Sequence, residues 1–533
     1  MSRIAIVGAG ASGLPCIRHA LLYGYEPVVF ELSHEVGGLW NFKPEDTNES
    51  SVARTTIANT SKELMAYSDF PPPDEFPNFM HNSQIFDYFK LYAEHFGLKK
   101  YIRFGHKVLN VRRTDKYTAD GTWVLTFEDL ETEETREEIF DGVLLANGHH
   151  FRAYKPTWKG MDQFNGKVMH SQAYKDDRGF EDKKVVVVGI GNSGVDIAVE
   201  ISRMAKETHL STRRGAWIFT RMGEAGLPYD LTFNSRYQAL IRSWFLNYCS
   251  KTTEKQFQER FDHTAYGLKP THGVFNCSPT VNDDLPLRIM QGGIKIQPNI
   301  EEFTKNGVIF DDGTQIDDVD VVVLATGYII DFGIVEKGDL LDNTDVNLYL
   351  YMFPPQLSDH NSLAFIGLVQ PSGPVMTISE MQARLFFEAF SKRLSLPSKE
   401  EMYRTIRAYK AMQAGLVRSM RHILEIDYCA YMNELATIIG CKPNLFKLFL
   451  TDPKLAYMYL FGPHTCYGYR LCGPHQWKGA REAILAVDER IRKGLNPKYE
   501  KEIDGKTSSK KVSVLILSLV IVTFAYILCC GLS

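Results

Sequence analysis

Ile4-Ala5-Ile6-Val7-Gly8-Ala9-Gly10-Ala11-Ser12-Gly13 reads as a buried strand running into a glycine-rich turn. The pattern beyond it predicts a helix to about Tyr23 and a second strand over Pro27 to Glu31. The same grammar returns at Val185-Val186-Val187-Val188-Gly189-Ile190-Gly191-Asn192-Ser193-Gly194. There it predicts a helix to about Ala205 and a strand over Thr208–Ser211. A single G-x-G-x-x-G is weak evidence. Two, each after a Val/Ile strand and before a helix, make chance a poor explanation.

The physics of such a turn assigns each glycine a task. The first permits a tight turn, the second lets backbone approach a pyrophosphate, and the third packs helix on strand. The pyrophosphate then sits at a positive helix N-terminus. The fold class expected is therefore α/β, with two Rossmann-like dinucleotide-binding domains.

The residues beyond each turn separate the ligands. Glu31 stands 18 residues after Gly13. A carboxylate there accepts ribose hydroxyls and repels a 2'-phosphate, which suits FAD or NAD. The matching stretch of the second unit is Ser211-Thr212-Arg213-Arg214, with Arg213 19 residues after Gly194. A cation there favours a 2'-phosphate, hence NADPH. One of the two arginines is expected to be only a solvated charge, and Arg213 is the better candidate. Gly37-Gly38-Leu39-Trp40 adds another glycine turn soon after Glu31, where backbone can approach an extended cofactor.

At 533 residues the chain exceeds one compact core. The division expected is 1–154 for the first part of the FAD domain and 155–330 for the NADPH domain, with a helical insertion at about 229–289. Residues 331–495 are expected to form the second part of the FAD domain and the C-terminal region, and 496–511 a charged linker. A net charge of -4 gives no support for nucleic-acid binding. Nine scattered cysteines form neither a disulfide framework nor a zinc spacing, so thiols in a reducing compartment and no metal are expected.

Met1-Ser2-Arg3 leads straight into the first strand, so no cleavable signal peptide is expected. At the other end Lys510-Lys511 precedes an uncharged run, 512–530, close to the ~20 residues that span hydrocarbon. This predicts a C-terminal transmembrane anchor with a cytosolic flank.

Together these pieces resemble a flavin-containing monooxygenase of the animal, microsomal type. That family's fingerprint, F-x-G-x-x-x-H-x-x-x-Y/F, is matched by Phe164, Gly166, His170 and Tyr174, just before the second glycine loop. Gly37-Gly38-Leu39-Trp40, Ser211-Thr212-Arg213-Arg214 and Ala325-Thr326-Gly327-Tyr328 match as well, and the likeness spans essentially the whole chain. It implies an FAD domain interrupted by an NADPH domain. It implies cofactor contacts from Gly8, Gly10, Ala11, Ser12, Gly13, Glu31, Gly38, Leu39, Trp40, Asn59 and Thr60 on the FAD side. On the NADPH side it implies Gly189, Gly191, Asn192, Ser193, Gly194, Thr212, Arg213 and Arg214, with Thr326 and Gly327 at the return strand.

The chemistry implied is hydride transfer from NADPH to FAD, then reaction with dioxygen to a hydroperoxide at the flavin C4a carbon. Oxidised NADP shields it until a sulfur or amine nitrogen of a lipophilic substrate attacks. Asn59 resembles the family's active-site asparagine, although the residue before it is Ala58 where Thr is usual. A neutral amide can bond flavin and NADP without adding charge. His170 and Tyr174 are read as a contact between domains, not as acid–base groups.

The resemblance also implies an endoplasmic reticulum membrane location, tail-anchored with the catalytic part facing the cytosol. A homo-oligomer is compatible with it. Baeyer–Villiger oxygenation of carbonyls and NADPH oxidation releasing hydrogen peroxide are the competing activities. A non-catalytic tethered flavoprotein is the reading from another class. A disulfide oxidoreductase is rejected, because the first domain holds only Cys16. The insertion and residues 353–384 are the candidates for shaping the substrate route.

Overall fold

The computed structural model describes residues 1–499 apart from Asn48, Thr344 and residues 417–422. Two five-stranded parallel sheets organise it. The first runs Leu363–Phe365, Gly142–Leu145, Arg3–Val7, Glu26–Phe30, Ile102–Arg103. Arg3–Val7 is central, and the edge strand Leu363–Phe365 arrives from the far side of the second sheet in sequence. The first domain is thus built from two separated stretches of chain.

The second sheet runs Lys295–Gln297, Glu207–Ser211, Lys184–Val188, Val321–Leu324, Lys167–His170. Its central strand is four valines after Lys184, each buried. Valine on both faces suits a parallel sheet covered on both sides. Each central strand feeds a helix, Gly13–Leu22 in the first sheet and Asn192–Ile201 in the second. Small antiparallel meanders flank the sheets: His106–Arg113, Trp123–Asp129 and Glu134–Phe140 beside the first, Ile300–Phe303, Val308–Phe310 and Gln315–Ile316 beside the second.

The excursion between Ser211 and Lys295 begins before Tyr229. Its base is a parallel pair, Ile218–Phe219 with Thr280–Val281. Above it stand the helices Tyr229–Phe233, Arg236–Trp244 and Leu246–Arg260, and Leu285–Met290 returns the chain to the sheet. Strands of two residues carry no periodicity, so the pattern alone registers only the helices.

Among the described residues no helix is long and apolar enough to cross a membrane. The run 512–530 and most of the 496–511 linker lie outside them.

Candidate cofactor and active site

The first glycine turn is fixed by backbone contact. Gly8 has φ +98°, and a Cβ there would lie 2.7 Å from the Ala146 carbonyl oxygen. A Cβ on Gly13 would lie 1.9 Å from the Gly8 carbonyl oxygen, so no other residue fits. Gly10 faces the second turn: its Cβ would stand 3.4 Å from the Gly38 Cα, and Gly37 N–H bonds the Ala9 carbonyl at 3.0 Å. The N–H groups of Gly10, Ala11 and Ser12 find no acceptor among the described residues, which leaves the helix entrance open to an anion.

Glu31 is the first residue past the second strand, Glu26–Phe30, one beyond the expected strand end, and it is occupied. It accepts Ala9 N–H at 2.7 Å through one oxygen, and Ser33 N–H at 2.9 Å and hydroxyl at 2.7 Å through the other. Two carboxylate oxygens offer about four lone-pair sites, so ribose hydroxyls remain acceptable. Leu39 and Trp40 sit in the short helix Gly38–Trp40 against this loop. A contact that no sequence motif marks closes it from the C-terminal stretch. Ser12 and Ser379 hydroxyls bond at 2.9 Å, and a Cβ on Gly367 would strike the Ser12 hydroxyl.

A cleft follows the C-terminal ends of strands Gly142–Leu145 and Leu363–Phe365, lined by Asn147, His149, Phe332, Ile334 and Leu368. Ligands of parallel α/β sheets bind at this end of the strands. His149 Nε2 is buried there without a partner among the described residues. The unpaired ring nitrogen gives the mouth of the cleft a polar atom to offer a bound group.

The second turn reproduces the first. Gly189 has φ +114°, and a Cβ on Gly194 would lie 1.9 Å from the Gly189 carbonyl oxygen. In front of Gly191, however, nothing lies within 4 Å of a Cβ. Ser193 is exposed, and Asn192 Oδ1 accepts Val281 N–H at 2.7 Å, tying the loop to the excursion. Thr212 accepts Gly215 N–H at 3.0 Å, which shapes the turn after the second strand. Arg213 and Arg214 both project to solvent, and neither has an ion-pair partner among the described residues. That suits a phosphate group.

The two domains are joined by two crossings that pair with each other. Tyr154 N–H bonds Gly327 carbonyl at 2.9 Å, and Ile329 N–H bonds Arg152 carbonyl at 2.8 Å. The Thr326 hydroxyl donates to Tyr154 carbonyl, and the His170 ring nitrogen Nε2 lies 3.1 Å from Gly327 carbonyl. Thr326, Gly327 and His170 therefore hold the crossing. Burial lowers the His170 pKa, so the imidazole serves there as a neutral donor.

Asn59 lies where the domains meet. Arg221, from the excursion of the second domain, donates to Asn59 Oδ1 at 2.6 Å and to Ala58 carbonyl at 3.0 Å. Asp283 holds Arg221 in turn, at 3.3 Å from its guanidinium. Two residues past Asn59, Ser61 N–H bonds Asp230 at 2.7 Å. Thr60 lies between them and makes no hydrogen bond among the described residues. Nothing local in the sequence marks Arg221, Asp230 or Asp283, because the loop they hold lies more than 160 residues away.

The loop is also held from the other side. Lys62, fully buried, donates to the carbonyls of Asp74 at 2.7 Å and Phe76 at 2.6 Å. Glu63, also fully buried, takes a two-pronged bond from Arg490 at 2.9 and 2.7 Å. Arg490 belongs to Val487–Leu495, the last described helix.

Likeness to known proteins decides the family. The flavin-binding monooxygenase-like family matches residues 1–530. The chain belongs to it. Flavin-containing monooxygenase 5 of Oryctolagus cuniculus is 44% identical over 532 residues, 98% of this chain and 99% of that protein. Dimethylaniline monooxygenase [N-oxide-forming] 2 of Mus musculus is 39% identical over 530 residues, 98% of each. Among solved structures, S-allyl-L-cysteine S-oxygenase from Allium sativum aligns with TM-score 0.63 at 22% identity, over 92% of this chain and 99% of that one. Cyclohexanone monooxygenase from Rhodococcus sp. Phi1 bound to NADP+ aligns with TM-score 0.59 at 14% identity, over 82% and 97%. This protein is a flavin-binding monooxygenase.

Proposed function

We propose that this monooxygenase transfers one oxygen atom of dioxygen to soft nitrogen or sulfur centres of lipophilic substrates. The observation that carries the reading is the Asn59 amide, fixed at the junction of the two nucleotide domains by Arg221. Arginine only donates, so the atom it meets is the amide oxygen, and Nδ2 remains to donate elsewhere. FAD held by the first loop would supply the dioxygen activation, and NADPH held by the second loop the reducing equivalents. The protein's part is to hold both nucleotides, present a neutral donor between them and restrict water. Support comes also from the N-oxide-forming relative.

Asn59→Asp is expected to abolish oxygenation while FAD stays bound. Product, peroxide and NADPH consumption are measured with a thioether, a tertiary amine and a ketone. Full sulfoxidation by the variant removes Asn59 from the site. Oxygenation of the ketone alone would replace the heteroatom reading by a Baeyer–Villiger one, and peroxide without product by an oxidase.

The proposed location is the endoplasmic reticulum membrane, with 512–530 as anchor and the folded part in the cytosol. A second contact is proposed for the excursion. Trp244, Phe245, Leu246 and Tyr248 are exposed at its outer corner, and Phe446 and Leu450 lie exposed on a helix of the C-terminal region. The two regions touch through the Tyr237 and Phe461 rings, 5.0 Å apart. Removal of 512–533 is expected to release the protein only partly, with Phe245→Ser and Tyr248→Ser completing the release. Full release by the truncation alone removes the second contact.

A further inference from the structure

The loop bearing Asn59 belongs to the first domain, yet the groups that aim it come from the second. Arg221 takes the amide oxygen of Asn59 and the carbonyl of Ala58. Asp230, in the first turn of Tyr229–Phe233, takes the Ser61 N–H at 2.7 Å. Both jaws sit on one short stretch of the excursion, which a hydrogen bond from Tyr229 N–H to Arg221 carbonyl at 2.8 Å ties together. Residues 58–61 are therefore gripped before and after the asparagine.

Asp230 is a poor choice for stability alone. Its second oxygen, Oδ1, is buried and has no partner among the described residues. A buried acceptor left unpaired costs about 1–3 kcal/mol. Burial raises the carboxyl to about 6, against the pull of the Ser61 N–H. A group kept at such a cost beside the junction of two cofactor sites points to a task in the site.

We propose that Asp230 is a positioning residue: through Ser61 N–H it sets, together with Arg221, the placement of the Asn59 amide between the two nucleotides. It touches the loop and not the reacting atoms. The consequence is a division of labour. The first domain supplies the amide, and the excursion of the second, nucleotide-binding domain decides where it points. A shift of the second domain therefore carries Asn59 with it. This inference rests on the monooxygenation reading given above.

The test uses the full-length enzyme and three variants. Asp230→Ala removes the acceptor, and Asp230→Asn keeps an amide oxygen for Ser61 N–H. Ser61→Pro removes the donor instead. Ser61 has φ -68°, the value proline imposes, so its backbone is preserved. Two readouts are taken: hydrogen exchange of the 57–63 segment in FAD-free protein, and product against peroxide per NADPH consumed in the loaded enzyme.

Asp230→Ala and Ser61→Pro are expected to lose protection of the segment. Their peroxide-to-product ratio should rise about tenfold, with the rate of flavin reduction by NADPH unchanged. Asp230→Asn should restore both. Wild-type coupling in Asp230→Ala or Ser61→Pro overturns the proposal, and so does failure of both to fold, which would make the contact structural only. If the wild-type enzyme forms no oxygenated product, it is the reading of the reaction that fails, and the exchange data still decide the contact.

Discussion

The two glycine turns share a skeleton and differ in what surrounds it. Gly8 and Gly189 both take positive-φ backbone, and a Cβ on Gly13 or Gly194 would lie the same 1.9 Å from their carbonyl oxygens. The middle glycines part company: Gly10 is roofed by Gly38, whereas Gly191 faces open space. The strand ends part further. Glu31 is buried and bonded to its own loop, and Arg213 stands exposed, with no ion-pair partner among the described residues. The shared skeleton suits a pyrophosphate. On the proposed assignment, the differences would make one cofactor an enclosed resident and the other an arriving reagent.

The largest effect should come from the shared feature. Gly13→Ala and Gly194→Ala introduce the same backbone clash, each costing roughly 3 kcal/mol or more. The outcomes should differ. The first should give colourless, poorly folded protein. The second should keep the yellow flavin but fail to oxidise NADPH. Absorbance and NADPH turnover check this, and identical phenotypes would break the assignment of ligands to loops.

Next comes Arg213→Ala. Loss of a charge-assisted phosphate contact, roughly 1.5–3 kcal/mol, should raise KM for NADPH about 10–100-fold with little change for NADH. Equal loss for both nucleotides would mean that Arg213 does not read the 2'-phosphate, and Arg214→Ala would then be the variant to measure.

Smaller again is the middle glycine. Gly191→Ala meets no protein atom, so thermal stability should stay unchanged while NADPH affinity falls several-fold. Gly10→Ala meets Gly38 at ordinary contact distance and should weaken FAD retention instead.

The smallest expected effect is a pH one. Asp196, in the helix after the second turn, is raised from 3.8 to about 6 by burial, although Asn282 donates to it at 2.8 Å. The folded state thus holds the proton more tightly than the unfolded chain. Its contribution is full below about 4 and is lost as pH rises through about 6. Asp196→Asn should therefore raise Tm by about 2–4 °C above pH 6 and leave it unchanged below pH 4. A gain that is equal at both pH values would show that charge is not the cause.

What was legible in the sequence was local. Both turns, Glu31 and Arg213 lie within about twenty residues of a glycine motif, and strand–turn–helix geometry fixes their distances. Asn59 was legible only through family likeness, since nothing around it is periodic. Arg221, Asp230, Ser379 and Gly367 were not legible at all. Each acts across a fold that brings distant chain together, and an arginine or aspartate in a loop carries no mark of its partner. The base of the excursion was missed for a different reason: Ile218–Phe219 and Thr280–Val281 are too short for a period of two to show.

Glu63 and Arg490 give the last described helix a mechanical meaning. Glu63 stands four residues beyond Asn59, and the buried pair fastens it to the last described helix. Asn78 adds a second rivet by donating to Ile491 carbonyl at 2.9 Å. The last described helix therefore braces the stretch that follows the asparagine. Breaking a buried pair of this kind costs about 3–5 kcal/mol, so the bolt should hold under ordinary thermal load. The last described helix thus doubles as a strut of the proposed reaction site, and trimming the protein into Val487–Leu495 would loosen that site from below.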